Sequence, residues 1–228
     1  MRVYRLTGFL FMIAITAAAQ DKVFFGGLFP EMALSKSLPD NFQTTFKVES
    51  QHIRFDNRDP DKAPWEYAHY RTDLQGFIAK KLNPFWKVSA GYQYRLEGEG
   101  PNSHRTIQQV AYVLNSTGVR QGHRLRLDQT YTDGADTEYR MRYRFSLEVP
   151  LAGRTLDPGE FYFLTSNELI GGIQGGQGEI ENRLVGSFGH YFGKELKLEA
   201  GLDWRIDKII AEGLRNRLWL KVGCFLNF

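Results

Sequence analysis

His69, Asp73 and His104 are the residues whose types could do chemistry. His69, Arg71 and Asp73 alternate in one phase of a period-two segment, and His104 with Arg105 opens a later one. A histidine near a carboxylate can act as a general base, activating water or a hydroxyl. At the outer rim of a barrel such a pair would suit a hydrolase of lipid or peptide. No serine-bearing elbow or other acid–base motif accompanies these residues, so polarity at a solvated rim outweighs catalysis. His52, His123 and His190 lack the spacing of metal ligands, and neither a metal nor a cofactor is expected. The glycine-rich run Gly171–Gly178 opens a strand rather than an anion-cradling helix and reads as a flexible outer loop. Asn115-Ser116-Thr117 matches a glycosylation pattern by coincidence.

The larger chemical signal is charge held in phase. Arg95, Arg124, Arg126, Arg140, Arg142, Arg144, Arg183, Arg205, Arg215 and Arg217 alternate with apolar residues. The carboxylates Asp128, Glu148, Glu160, Glu168, Glu181, Glu199 and Asp203 accompany them on the polar face. Both signs on one face imply a ladder of ion pairs, with Asp128, Glu148 and Glu168 the nearest partners for Arg140, Arg142 and Arg144.

Strands must position these charges. Trp86, Val88, Ala90, Tyr92, Tyr94 and Leu96 oppose Lys87, Ser89, Gly91, Gln93, Arg95 and Glu97, and Tyr139–Val149 and Leu196–Ile206 repeat the alternation. About ten strands follow, near 42–55, 67–82, 84–97, 104–115, 120–132, 137–149, 159–170, 179–192, 194–207 and 213–228. Each reaches the roughly 9–11 residues that a tilted strand uses to cross a bilayer. Tight links near Asn83 and Gly193 against a long one at Asp56–Glu66 fit short periplasmic turns and longer outer loops, with both termini periplasmic. The link at Leu151–Leu156 is longer than that rule allows. Residues 23–38 read as an extra strand, a lumen insert or a lead-in, and an even strand count favours leaving them out of the wall.

The first residues belong to export. Arg2 and Arg5 precede an apolar run from Leu6 to Ile15, and Ala17-Ala18-Ala19 offers a cleavage site. The expected organisation is therefore a signal peptide at 1–19, a lead-in or extra strand at 20–40, and a barrel at 41–228. Cys224, the single cysteine, can form no intrachain disulfide. A net charge of +3, from 29 basic and 26 acidic residues, is too balanced to imply nucleic acid. The mean hydropathy of −0.40 does not exclude a membrane, because barrel strands never make a long apolar run.

Alternation alone also suits a soluble, lipocalin-like binding barrel. The aromatic-rich apolar face, recurring in nearly every strand, favours an all-β, antiparallel transmembrane β-barrel in the outer membrane. Magnitude then decides the phase: an arginine facing lipid near the midplane costs roughly 2–4 kcal/mol. Arg140, Arg142 and Arg144 must therefore face the lumen. Trp65, Trp86, Trp204 and Tyr191 suit interfacial girdles. The partners entailed are outer-membrane lipid and the barrel-assembly machinery, and oligomeric state is not legible.

Several segments resemble the uncharacterised outer-membrane family catalogued as domain of unknown function 2490. They are Gly91-Tyr92-Gln93-Tyr94-Arg95, His123-Arg124-Leu125-Arg126-Leu127-Asp128-Gln129, Arg142-Tyr143-Arg144, Glu160 with Asn167-Glu168, and Glu181-Asn182-Arg183. Their order runs from about Phe24 to the C-terminus. The resemblance implies an outer-membrane barrel and carries no functional residue across. Three readings stay open: a structural or interaction barrel with a charged, largely filled lumen or narrow small-solute passage; a rim hydrolase; and a soluble periplasmic binding barrel.

Overall fold

The computed structural model describes residues 23–59, 61, 63–193, 195–210 and 213–228; the expected signal peptide lies outside them. Eleven strands, with no helix among the described residues, close into one barrel. They are β1 (Val23–Ser37), β2 (Phe42–Asp56), β3 (Ala68–Lys81), β4 (Trp86–Glu97), β5 (Ser103–Ser116), β6 (Val119–Thr132), β7 (Glu138–Pro150), β8 (Glu160–Gln174), β9 (Gln177–Tyr191), β10 (Leu196–Asp207) and β11 (Arg215–Asn227). Consecutive strands pair antiparallel, and β1 closes the wall by pairing parallel with β11.

Three expectations are corrected here. The wall has eleven strands rather than about ten, because residues 23–37 form β1 and the barrel starts there, not at 41. An odd meander cannot alternate direction all the way round, so one parallel pair is unavoidable. For the same reason the described chain ends at opposite mouths. Val23 pairs with Arg215 beside the 57–67 link, whereas Phe228 donates its N–H to Ser35 at the other mouth. The glycine-rich run is not a loop: β8 and β9 extend through it to a two-residue turn at Gly175-Gly176, both with positive φ (55° and 79°). That is the backbone a tight hairpin needs, and glycine adopts it without steric cost.

Two bulges reshape the wall near the Val23 mouth. Register slips at Tyr70 in β3, where Arg71 faces Gln51 but His69 faces His52. It slips again at Arg54 in β2, opposite Gly26 and Gly27. A Cβ on Gly27 would sit 2.0 Å from the His52 carbonyl oxygen, so only glycine allows that approach.

The interior and exterior are inverted relative to a water-soluble fold. Arg95, Arg105, Arg126, Asp128, Arg142, Glu168, Glu181, Asp203, Arg205 and Arg217 are buried inside. Leu127, Met141, Tyr143, Leu169, Phe188, Leu202, Leu220 and Val222 stand exposed on the outer wall. An apolar cluster of Phe25, Phe29, Ile53 and Trp219, joined by Tyr70, fills the lumen toward the Val23 mouth. Tyr162, fully buried, lies toward the other and covers Gly189.

The parallel closure is directly testable. Met32 and Cys224 are register partners on the outer wall, within the Cα separation that a disulfide spans. Met32→Cys is expected to crosslink to Cys224 under mild oxidation, giving a faster-migrating band on non-reducing gels. Its absence in a folded protein would contradict β1 as the closing strand.

Candidate functional site

The lumen is the chemically dense part of the molecule. Its centre is Glu168, 1% exposed, which accepts from Arg142 (2.6 Å) and Arg124 (2.7 Å) and lies 3.4 Å from Arg144 and 3.9 Å from Arg183. Asp128, equally buried, receives Arg126 at 2.5 Å and Arg142 at 3.3 Å. Glu181 holds Arg183 (2.5 Å) and Arg217 (3.1 Å), and Asp207 holds Arg217 and Arg215, the latter at 3.0 Å. Asp203 forks to Arg205 with two bonds of 2.7 and 2.8 Å. These are charge-assisted bonds of the strong kind, and the Asp203–Arg205 pair is bidentate.

The expected pairings hold only in part. Arg142 and Arg144 reach Asp128 and Glu168 as positioned, but Arg140 turns to Glu138 at 2.6 Å. Glu148 meets Lys197 (3.3 Å) and Arg120 (3.7 Å) instead. Glu199 accepts a hydrogen bond from the Tyr162 hydroxyl at 2.8 Å. Arg95 grips Asp73 through two bonds of 2.6 and 2.8 Å. Sequence reading missed the trio in which Glu31 binds Lys47 and Lys221, each at 2.6 Å, because β1 was left outside the wall. Glu31 falls in the inward phase with Phe25, Phe29 and Ala33, a signal that alternation along β1 could have supplied.

The proposed rim chemistry comes apart. Asp73 faces the lumen, but the bulge at Tyr70 turns His69 to the outer wall, where its Nε2 bonds Thr72 Oγ1 at 2.9 Å. His104 is also on the outer wall, its Nδ1 bonded to the Tyr92 hydroxyl. A wall of the barrel separates both histidines from Asp73. Tyr191 is likewise not an outward girdle residue: it shares the inward phase, with the Lys197 ammonium 5.3 Å from its ring.

What the outer wall does hold is a hydroxyl–imidazole chain. Ser50 Oγ lies 2.9 Å from His52 Nε2, and His52 Nδ1 lies 2.8 Å from the Tyr67 hydroxyl. Ser50 Oγ also lies 2.8 Å from Thr72 Oγ1. The two bulges flank this chain, as bulges often do where a side chain must be re-aimed.

At the lumen centre, Glu168→Gln would leave four arginines sharing one neutral amide. Removing one partner of a buried pair costs about 3–5 kcal/mol, and denaturant unfolding should show a loss of at least that size. Arg140→Ala, whose pair with Glu138 is partly solvated, should lose no more than about 1 kcal/mol.

Among known proteins, one family model matches the chain, over residues 26–212, described as a protein of unknown function, DUF2490. No curated protein and no solved structure gives a significant match. The match spans nine complete strands, β2 to β10, and most of β1, and with them most of the arginine–carboxylate core, so this chain belongs to the DUF2490 family.

Proposed function

We propose that this chain is an integral outer-membrane β-barrel whose lumen is a packed ionic core, serving a structural or interaction role rather than acting as an open channel. One observation carries the reading: the wall exposes apolar side chains outward and buries its arginines inward. In water that arrangement forfeits the hydrophobic driving force on every strand, whereas in lipid it is the low-energy one. A soluble binding barrel would need the reverse. The filled lumen supports the second half of the proposal. Its central cavity is about 90 Å³, and Phe25, Trp219 and Tyr162 occupy the bore on either side. Porins that conduct freely have 16 or more strands. The expected signal segment supplies the export route, and the assembly machinery and membrane lipid are the partners this reading entails.

The second reading, a lipid-ester hydrolase, is favoured by Ser50 and His52 alone. A nucleophile bonded to a base, with the base held by a third group, is the arrangement nucleophilic catalysis uses. The exposed Leu28 and Leu96 beside it would present acyl chains.

Cell fractionation tests the leading reading. The protein is expected in outer membranes after carbonate extraction, and reconstituted protein should carry no steady ionic current. Recovery in the soluble periplasm would overturn insertion, and a steady current would establish a passage instead. The hydrolase reading requires that a fluorophosphonate probe label Ser50 in the purified barrel, with labelling lost in His52→Ala. No labelling removes it.

A further inference from the structure

We propose that the cavity at the centre of the lumen binds a small tetrahedral oxyanion, of the phosphate or sulfate class. The inference needs only the closed barrel and is independent of whether the outer wall faces lipid.

The sheet register sets arginine directly against arginine. Arg124 faces Arg144 and Arg126 faces Arg142 between β6 and β7, while Arg183, Arg205 and Arg217 follow one another across β9, β10 and β11. Like charges in facing positions repel, so each such pair needs an anion between its members. The protein supplies too few. Eleven lysines and arginines line the cavity against five carboxylates, and Asp128 and Glu181 behind them do not close the gap.

Two of these cations have no carboxylate within ion-pair distance among the described residues. Arg105, 3% exposed, donates its Nε to Thr130 at 2.8 Å and makes no ion pair among the described residues. Arg71 makes no ion pair among the described residues either: its guanidinium lies 5.3 Å from the Tyr70 ring and its Nε is unbonded. Other donors at the cavity are also unspent: Gln93 Nε2 on a residue 2% exposed, Arg142 Nε on one 6% exposed, and the Nε atom of Arg124. Each buried donor left unpaired has given up its hydrogen bonds to water without a replacement, which is destabilising.

Size and geometry select the ligand. The cavity of about 90 Å³ would hold roughly six waters at the ~15 Å³ each requires, or one tetrahedral anion with a little water. Guanidinium forks match two oxygens of an oxyanion at once, which a spherical halide cannot offer. An oxyanion there would sit between Arg105 and Gln93 on the β4–β5 side and the β6–β7 arginines, taking up donors that no side chain satisfies.

The test uses the whole barrel, unfolded and refolded separately in sodium phosphate and in sodium chloride at matched ionic strength, so that the anion can enter as the wall closes. About one phosphate per barrel is expected to survive gel filtration, and melting temperature should rise saturably with phosphate but not with chloride. Arg105→Gln should move the midpoint of that rise up by roughly tenfold to a hundredfold, the size expected for one hydrogen bond to a charged group. In phosphate-free buffer the same variant should be at least as stable as the parent, since it loses a buried cation that makes no ion pair among the described residues. Should Arg105→Gln fail to refold, Arg71→Gln provides the same comparison. Retention of no phosphate, an equal rise with chloride, or unchanged phosphate response in the folded variants would each overturn the site.

Discussion

Everything in this barrel depends on neutralising arginine inside a closed sheet. Strand alternation sends every second side chain inward, and each of β6, β7, β9, β10 and β11 places at least one arginine among those positions. Desolvating so many cations is costly unless carboxylates meet them with good geometry. Glu168 and Asp128 do most of this, and they bridge strands: Glu168 on β8 gathers arginines from β6, β7 and β9. The network thereby acts as a core. It ties neighbouring strands together across the bore, in the place where many folds use leucine and valine.

The same constraint explains the closing strand. Without β1 the sheet would present two open edges, on β2 and β11. Besides pairing both, β1 brings Phe25 and Phe29 into the bore and Glu31 to Lys47 and Lys221. Lys221 and Arg205 each lie against the Phe29 ring, at 5.6 and 5.0 Å, so the aromatic cluster and the ionic core meet at one residue. Cation–π contact there supplies part of what the carboxylates do not.

Alternation was legible because it is local. The inward arginines of β7 and the outward Tyr139, Met141 and Tyr143 follow from period two alone. Strand count was not, since the even-number rule for such barrels favours leaving residues 23–38 out of the wall. Gly26 and Gly27 are required there because the neighbouring strands pass too close for a side chain: a Cβ on Gly26 would lie 2.1 Å from the Leu218 carbonyl oxygen. That is a tertiary fact absent from β1 itself. The bulge at Tyr70 is equally non-local, and by inserting one residue it moved His69 to the opposite face from Asp73 and dissolved the expected pair. Partner choice among the charges was legible only to within a neighbour, as Arg140 and Glu148 demonstrate. Ser50–His52 carried an unread signal, two polar residues side by side in the outward phase of β2.

The central claim, a barrel that wears its apolar face outward into lipid, can be tested on tryptophan. Trp204 lies on the outer wall between Leu184 and Leu218, whereas Trp219 is fully buried in the bore against Phe25 and Tyr70. Variants keeping one of these as the sole tryptophan would be reconstituted in vesicles of phospholipid brominated along the acyl chains, and fluorescence quenching measured. The expected result is strong quenching of Trp204 with Trp219 left bright. Equal quenching of the two, or a Trp204 untouched by the brominated chains, would contradict an outer wall that faces the membrane.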